Sequence, residues 1–358
     1  MAASPELKLF VFPGGIDPDV LAVGGEPVPY ARTDEFAATT LESEKWLLDL
    51  LGCTGGRLVS YTASGTAAME AVISNLVAPA DRILAVEGGT FGRRWVEMLR
   101  AYPNAALDVV SVPFGEDPDY EALERQLAGG RYRFLFMQHH ETSSGVKFDI
   151  PRLGAACAAA GTLFAVDAIS SFLADDFSMD RFGIDAAILS SHKGLCLPPG
   201  LGFVALSRRA LEVPFQKRNV YFDFQENLKS LARGHPLFTP AVQLYLQLHK
   251  RLENIRTRGA DSVVAGVREK AERFRELLAA EQRPVIAKTP SNCLTSFNLR
   301  CPARDLVPLL TAEGTYIMPS SAPNQVRVAH LGTCTVEDHR RLLVRINELE
   351  RQLTGARA

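Results

Sequence analysis

Two residues that could share one chemical task, Asp167 and Lys193, each follow a short apolar run. The run Leu163–Asp167 ends in the acid, and Ala186–Leu189 is followed by Ser-Ser-His and then by Lys193. An amine and a carboxylate at two strand ends suit a cofactor that lysine binds covalently and that an acid holds at its ring nitrogen. Pyridoxal phosphate is such a cofactor. We therefore expect Lys193 to form a Schiff base with it and Asp167 to keep its pyridine nitrogen protonated.

Two further positions could complete such a site. Ser64-Gly65-Thr66 follows an apolar run and opens a helical pattern, so its backbone N–H groups and hydroxyls could hold a phosphate. Phe91 follows the next apolar run and could stack on a planar ring. Taken singly, a serine before a helix is usually an N-cap, and a phenylalanine usually belongs to the core. Four strand ends that carry a phosphate site, an aromatic ring, an acid and an amine favour the functional interpretation.

Alternating strands and helices between about residues 55 and 210 would position these side chains. Such alternation predicts a mostly parallel sheet with helices on both faces, in which ligands bind beyond the carboxyl ends of the strands. The predicted strands are Leu58–Tyr61, Arg82–Val86, Leu107–Val112, Phe134–Gln138, Leu163–Asp167, Ala186–Leu189 and Gly202–Ala205. The predicted helices are Ala67–Val77, Phe91–Ala101, Tyr120–Leu127, Ile150–Ala160 and Met179–Phe182.

The rest of the chain predicts a smaller α+β domain. Thr239–Gly259 has helical spacing with Pro240 at the first helical position, and the pattern continues to about Ala280. Residues 15–258 would form the large cofactor-binding domain, and residues 259–358 the small C-terminal domain, joined by residues 1–14. Within the small domain we expect strands at Val285–Ala287, Cys293–Asn298 and Val326–His330, and helices at Ala303–Glu313 and Val336–Leu353.

Composition excludes several classes of protein. A net charge of −2 on 358 residues gives no basic field for nucleic acid or for an anionic membrane. No apolar stretch approaches the ~20 residues of a membrane helix, and the first residues lack the apolar core of a signal peptide. The six cysteines lie far apart, which argues against a metal site or a disulfide framework and for a reducing cytoplasm.

Six motifs in order resemble the class V aminotransferases, a group of fold-type-I pyridoxal-phosphate enzymes. The group includes alanine–glyoxylate, serine–pyruvate and 2-aminoethylphosphonate–pyruvate aminotransferases. The resemblance spans roughly residues 40 to 340 and implies the fold-type-I architecture, an α/β domain with a smaller α+β domain, and a homodimer. The motifs are Ser64-Gly-Thr-Ala-Ala-Met-Glu70, Gly89-Thr-Phe-Gly-Arg-Arg94, His139-His-Glu-Thr-Ser-Ser-Gly145, Val166-Asp-Ala-Ile-Ser-Ser171, Ser190-Ser-His-Lys-Gly194 and Pro198-Pro-Gly-Leu-Gly202; Arg327-Val-Ala-His-Leu-Gly332 resembles the C-terminal arginine motif.

The resemblance gives each matching residue an expected role. Lys193 would carry the cofactor and move protons, and Asp167 would hold the pyridinium proton. Phe91 would stack on one face of the ring, and Ile169 would press on the other. Thr142 would lie near the phenolic oxygen of the ring.

Phosphate and substrate contacts follow from the same resemblance. Arg327 would bind the substrate carboxylate as a planar fork. Across the dimer, the segment Gly234–Pro240 would reach the neighbouring phosphate; it can be aligned in two registers, and Thr239 is the candidate. Within one subunit, the phosphate would meet Ser64, Gly65, Thr66 and His192.

Two segments depart from the family pattern where substrate identity is set. The N-terminal substrate loop usually reads Pro-Gly-Pro, whereas this chain has Phe12-Pro-Gly-Gly15, followed by Gly24-Gly-Glu-Pro27. The motifs at Val166 and Ser190 favour the aminoethylphosphonate branch, and the Arg327 motif favours the alanine/serine–glyoxylate branch.

The predicted activity is a ping-pong aminotransferase that acts on a small amino acid of the alanine/serine type. A 2-oxo acid such as pyruvate or glyoxylate would be its partner substrate. The alternatives are a 2-aminoethylphosphonate–pyruvate aminotransferase and a lyase or decarboxylase that uses the same cofactor. A desulfurase would need a mobile nucleophilic cysteine, which no glycine-rich C-terminal loop provides.

Overall fold

The computed structural model describes residues 7–102, 105–129 and 131–355. Its strands are β1 (Lys8–Leu9), β2 (Arg57–Thr62), β3 (Arg82–Glu87), β4 (Ala106–Ser111), β5 (Phe134–Gln138), β6 (His140–Glu141), β7 (Val146–Lys147), β8 (Leu163–Asp167), β9 (Ala186–Ser190), β10 (Leu201–Leu206), β11 (Leu294–Asn298), β12 (Thr315–Tyr316), β13 (Met318–Pro319) and β14 (Gln325–Ala329). Its helices are α1 (Pro18–Val23), α2 (Asp34–Leu51), α3 (Gly65–Leu76), α4 (Thr90–Ala101), α5 (Tyr120–Ala128), α6 (Ile150–Ala160), α7 (Met179–Phe182), α8 (Arg208–Leu211), α9 (Phe224–Leu231), α10 (Val242–Arg258), α11 (Ala260–Ala280), α12 (Ala303–Ala312) and α13 (Val336–Thr354).

A seven-stranded sheet forms the centre of the molecule, in the order β2-β10-β9-β8-β5-β3-β4. Strand β10 is antiparallel to both of its neighbours, and the other pairs are parallel. The mostly parallel sheet that the sequence predicts is therefore confirmed. Its order reverses between β3 and β5, which opens a crevice beyond the carboxyl ends of these strands.

Helices cover both faces of this sheet because successive side chains on each strand point to opposite sides. On β8, Phe164 and Val166 pack in a core with α2, α5, α6 and α10. Leu163 and Ala165 face the other way, into a core with α3, α4 and α9. A sheet with helices on both of its faces is the α/β fold that the sequence predicts. Within the described ranges, no helix is both long enough and apolar enough to cross a membrane.

The small sheet, β11-β14-β13, is antiparallel and has a core of its own. Phe274 of α11, Leu306 of α12 and Leu342 of α13 pack against this sheet. The N-terminal segment joins the same core, since Phe10 is buried there and β1 pairs with β12. The domain boundary between residues 258 and 259 stays a prediction. Residues 1–6 of the predicted joining segment and residues 356–358 of the predicted small domain lie outside the described residues.

Two local predictions differ from the structure, and helix α2 was missed. Val285–Ala287 is not a strand, because it forms one isolated bridge to Phe297 before the Lys288 N–H turns away to the Gly115 carbonyl. The helix predicted from Thr239 begins at Val242, since the Ala241 N–H donates to Thr62 Oγ1 and keeps this stretch outside the helix. Helix α2 was not predicted, although its Thr33 N-cap is a recognisable start.

Candidate active site

Asp167 and Lys193 lie at the ends of two neighbouring parallel strands. Asp167 is the last residue of β8, and Lys193 follows β9 by three residues. Both side chains are buried, with 5% and 9% of each residue exposed. Asp167 Oδ1 accepts the N–H of Ile169 at 2.8 Å, which fixes the carboxyl group at the strand end. The sheet therefore brings an acid and an amine into one buried region.

Burial shifts the pKa values of these two groups in opposite directions. It raises the pKa of Asp167 to about 7, and the nearby Glu141 adds to this rise. It lowers the pKa of Lys193 to about 8. In both cases the charged form loses hydration inside the protein. A neutral amine is consequently accessible near physiological pH, and the carboxyl group gains from any cationic N–H placed beside it.

The first turn of α3 packs directly against the ends of β8 and β9. A Cβ on Gly65 would lie 2.6 Å from Ile169 Cδ1 and 3.2 Å from Ser190 Cβ, so this close approach requires glycine. Ser64 caps the helix by accepting the Ala67 N–H at 3.2 Å. Ser190 Oγ is buried and meets no hydrogen-bond partner in the described residues.

An arginine that the sequence did not single out adds positive charge to this helix start. Arg94 of α4 donates from Nη1 to Thr66 Oγ1 at 2.8 Å. Its guanidinium also lies 4.9 Å from the centre of the Phe91 ring. A helix N-terminus with free N–H groups and a nearby cation suits a phosphate dianion.

Glu141, which the sequence also did not single out, connects α4 to the loop after β5. Its carboxylate accepts the N–H groups of Phe91 and Gly92, each at 3.1 Å, and the hydroxyl of Ser143 at 2.5 Å. A buried carboxylate with several donors is fully satisfied. Phe91 is thus held at the point where the strand order reverses, half-buried at the edge of the site.

A chain of hydrogen bonds joins Thr142 to the loop after Asp167. Thr142 Oγ1 lies 2.8 Å from Ser170 Oγ, which in turn lies 2.9 Å from His140 Nδ1. Burial lowers the pKa of His140 to about 3, so this imidazole is neutral. These contacts fix the Thr142 hydroxyl relative to the β8 strand end.

Arg327 reaches from the small sheet to the same region. It donates from Nη1 to the Thr142 carbonyl at 3.1 Å and from Nη2 to the Pro319 carbonyl at 2.9 Å. Its Nε is buried and finds no partner within the described ranges. Burial lowers the pKa of Arg327, and a carboxylate at this guanidinium would offset that loss of hydration.

The N-terminal segment brings Phe12 onto Lys193. The lysine Nζ lies 3.5 Å from the centre of the Phe12 ring. The Ala329 N–H donates to the Phe10 carbonyl at 2.9 Å, and a Cβ on Gly14 would lie 2.4 Å from the Leu331 carbonyl oxygen. A backbone hydrogen bond and close packing therefore hold the N-terminal segment against β14 and the loop that follows it.

Two predicted residues stand apart from these contacts. His192 is half-buried beside Lys193, and burial lowers its pKa to about 4, which leaves a neutral ring. Thr239 is exposed, two residues before the Ala241 N–H that binds Thr62. In this subunit, Thr239 thus lies on the surface beside the end of β2.

The arrangement fits pyridoxal phosphate in its donor chemistry. The first turn of α3 with Arg94 suits the phosphate, the Asp167 carboxyl suits the ring nitrogen, and the Lys193 amine suits the aldehyde. Ser190 Oγ remains available as a hydrogen-bond donor to such a ligand. The described residues contain no group of three or more His, Cys, Asp or Glu side chains that could hold a metal ion.

Comparison with known proteins places these features in a family. The profile of the class V aminotransferases matches residues 30–317. An L-aspartate–glyoxylate aminotransferase of Paracoccus denitrificans is 34% identical over 225 residues, which are 60% of this chain and 56% of that relative. A serine–glyoxylate aminotransferase of Hyphomicrobium methylovorum is 30% identical over 273 residues, 74% of this chain and 67% of that relative.

A solved structure extends the similarity to nearly the whole chain. The crystal structure of an aspartate aminotransferase of subgroup IV from Thermus thermophilus matches with a TM-score of 0.88 at 28% identity, covering 95% of this chain and 98% of that one. The profile match, the fold and the order of the motifs agree, and the family implies pyridoxal phosphate as cofactor. The chain belongs to the class V aminotransferases.

Proposed function

We propose that this protein is a pyridoxal-phosphate-dependent aminotransferase that transfers an amino group from a small amino acid to a 2-oxo acid. The amino acid is of the alanine/serine type, the acceptor is glyoxylate or pyruvate, and the two half-reactions follow a ping-pong order. The convergence of Asp167, Lys193 and Arg327 carries this proposal, because a ring-nitrogen partner, a reactive amine and a carboxylate-binding fork lie close enough for the acid and the arginine both to act electrostatically on Lys193.

Each side chain of the proposed site has a separate role in the reaction. With pyridoxal phosphate bound, Asp167 would hold a proton at the ring nitrogen, and Ile169 and Phe91 would contact the ring. When bound, the cofactor supplies an electron sink that stabilises negative charge on the substrate Cα. Lys193, whose pKa is lowered to about 8, would take the proton from the substrate Cα and deliver a proton to the C4′ carbon of the cofactor. Arg327 holds the substrate carboxylate, which fixes the Cα–H bond relative to Lys193.

The relatives support glyoxylate as the acceptor. Two of them are named as aspartate–glyoxylate and serine–glyoxylate aminotransferases. In this chain the Phe12 ring covers Lys193, which leaves little room for a bulky donor side chain. A small donor is therefore favoured.

The cysteines argue against desulfurase chemistry. All six are free and buried, and burial raises the pKa of Cys53 to about 11 and that of Cys157 to about 12. A buried thiol with a raised pKa is a poor nucleophile. Free buried thiols also suit a reducing compartment such as the cytoplasm.

Exposed apolar side chains near the phosphate site support a homodimer. Val220 is 76% exposed, and Phe238, 38% exposed, stacks on Tyr221 at 5.2 Å between ring centres. The Tyr221 hydroxyl donates to the carbonyl of Thr62, two residues before Ser64. A second subunit over this surface would bury these rings and complete the phosphate site.

Covalent labelling tests the assignment directly. Protein loaded with pyridoxal phosphate is reduced with borohydride and mapped by peptide mass spectrometry; the cofactor should be attached to Lys193. Lys193→Ala should remain unlabelled, and Lys288→Ala, at an exposed surface ion pair, should be labelled like the wild type. A cofactor attached to another lysine would refute the site.

A substrate panel then tests the reaction. The cofactor-loaded enzyme is mixed in turn with alanine, serine, aspartate and 2-aminoethylphosphonate. An amino donor should lower the visible absorbance of the bound cofactor, and glyoxylate or pyruvate should then restore it. Arg327→Lys should raise the KM for carboxylate substrates roughly tenfold or more without changing the cofactor Kd, since it replaces a bidentate fork by a point charge. Steady release of carbon dioxide or ammonia in the absence of any oxo acid, with no lasting loss of the absorbance, would indicate a decarboxylase or lyase instead.

A further inference from the structure

A cavity of about 300 Å³ lies beside the loop that follows Lys193. Helices α10 and α11 form one wall through Arg251, Arg258 and Lys270. Loop segments form the other wall, one of them through Leu173. Three others each follow a residue of the candidate site: they contain Gly15 and Asp17 after Phe12, Gly194 and Cys196 after Lys193, and Leu331 and Gly332 after Arg327.

The charges that line this cavity do not balance. Arg251 Nη1 lies 2.7 Å from Asp17 Oδ2, and Arg258 Nη2 lies 3.5 Å from the same oxygen. Lys270 donates to the Gly332 carbonyl at 3.0 Å. Asp17 is the one carboxylate among the lining residues of the described chain, so three cations face one anion and two positive charges remain.

Burial makes part of this positive charge costly. The Arg251 side chain is 8% exposed and desolvation lowers the pKa of Lys270, whereas the Arg258 side chain is 58% exposed and keeps its contact with solvent. A cation in a partly dry site is stabilised by an anion within a few ångströms. The cavity therefore has the electrostatic character of an anion site that protein carboxylates satisfy only in part.

The backbone of the cavity wall also departs from ordinary geometry. Cys196 has a φ of 50°, a left-handed conformation that a non-glycine residue adopts at a cost. A Cβ on Gly332 would lie 2.6 Å from the Gly15 backbone nitrogen, so the two loops touch. By contrast, a Cβ on Gly266 of α11 would meet nothing within 4 Å. The atoms of the cavity wall are close-packed where the loops meet, and there is free space beside Gly266 of α11.

We propose that this cavity binds a small dianion, either a dicarboxylate or a phosphate, and that the anion ties α10 and α11 to the three loops of the active site. The net charge of +2 matches a dianion, and about 300 Å³ has room for a molecule the size of succinate together with water. A bound anion would brace the segments that carry Phe12, Lys193 and Arg327 at the same time. The lining of the cavity includes none of Phe12, Asp167, Lys193 and Arg327, and the inference does not rest on the proposed donor or acceptor.

Calorimetric titration of the cofactor-loaded enzyme tests this site. Inorganic phosphate and succinate are the two probes, and both titrations are made in an Arg327→Gln background so that the substrate carboxylate contact is absent. Lys270→Met and Arg258→Gln should each weaken the better probe roughly tenfold or more, because each removes a charge-assisted partner. Lys270→Arg should retain binding. Arg273→Met, which removes an exposed arginine of α11 outside the cavity, should behave like the parent protein.

The outcomes separate the possibilities. Saturable binding of phosphate alone or of succinate alone supports the site and identifies its ligand class. Affinity should also fall as pH rises through the pKa of Lys270, which a site elsewhere would not show. The proposal is overturned if neither probe binds at millimolar concentration, or if both charge-removing variants bind as tightly as the Arg273→Met control.

Discussion

The acid and the amine of the active site carry opposite pKa shifts, and the two shifts have one cause. Desolvation raises the pKa of Asp167 to about 7 and lowers that of Lys193 to about 8. The pKa of each group therefore lies close to neutral pH in the protein without cofactor. Opposed shifts on a neighbouring acid and base are typical of groups that exchange protons during a reaction.

Asp167→Asn should retain the cofactor but lose most turnover, because a neutral amide cannot hold a proton at the ring nitrogen. Single-turnover kinetics with a saturating donor should show a large fall in rate with a modest change in cofactor Kd. Glu87→Gln, at a surface ion pair with Arg93, is a matched acid-to-amide control. Unchanged turnover in Asp167→Asn would give this carboxyl group another role.

The same variant has a consequence for stability without cofactor. The pKa of Asp167 in the folded protein, about 7, lies above the ordinary value of 3.8 for an aspartate, so the native state binds more protons than the unfolded state between these two pH values. Stability is therefore lost as pH rises through this window, by on the order of 4 kcal/mol at full burial. Cofactor-free Asp167→Asn should accordingly gain stability over the wild type at pH 8 and not at pH 4, as measured by urea unfolding.

At the scale of elements, the N-terminal segment acts as one wall of the site. Phe10 is anchored in the small-domain core, Gly14 packs on the Leu331 carbonyl, and Phe12 lies between them over Lys193. Anchors on both sides leave the phenyl ring little freedom to move away. The segment thus couples the substrate wall to the loop that follows Arg327.

Phe12→Ala should widen the range of amino donors, because it removes a ring 3.5 Å from the lysine amine. The ratio of kcat/KM for a bulky donor to that for alanine should rise at least severalfold, while borohydride still labels Lys193. Phe114→Ala, at an exposed ring remote from these contacts, should leave the ratio unchanged. Equal donor profiles for wild type and Phe12→Ala would mean that the ring does not limit the donor.

Local pattern and chain order explain which elements could be predicted. Apart from the partly exposed edge strand β4, which contains Asp108, the central strands are mostly apolar because both faces of the sheet are buried. Asp167 and Lys193 stand out because they follow this apolar pattern at strand ends. Arg94 and Glu141 could not be found in this way. Their roles depend on contacts with Thr66 and Phe91 that appear only when the strand order is known.

At the scale of the whole molecule, one residue proposed for the phosphate site lies exposed on the surface of the single chain. The first turn of α3 and Arg94 supply donors from within the chain, whereas Thr239 is exposed at the surface. The apolar rings of Tyr221 and Phe238 lie beside it. A homodimer in which Thr239 contacts the neighbouring phosphate would account for both features.

Hybrid dimers test whether Thr239 acts across the subunit boundary. A Thr239→Ala homodimer should bind pyridoxal phosphate roughly tenfold more weakly, since one hydrogen bond to a charged group is lost. In a hybrid of one Lys193→Ala subunit with one Thr239→Ala subunit, the single intact lysine faces the Thr239 of its partner. That site should recover wild-type cofactor affinity, measured from the absorbance of bound cofactor, if the threonine acts in trans. Affinity that stays weak in the hybrid would place the contact within one subunit, and sedimentation of a fully active monomer would contradict the dimer itself.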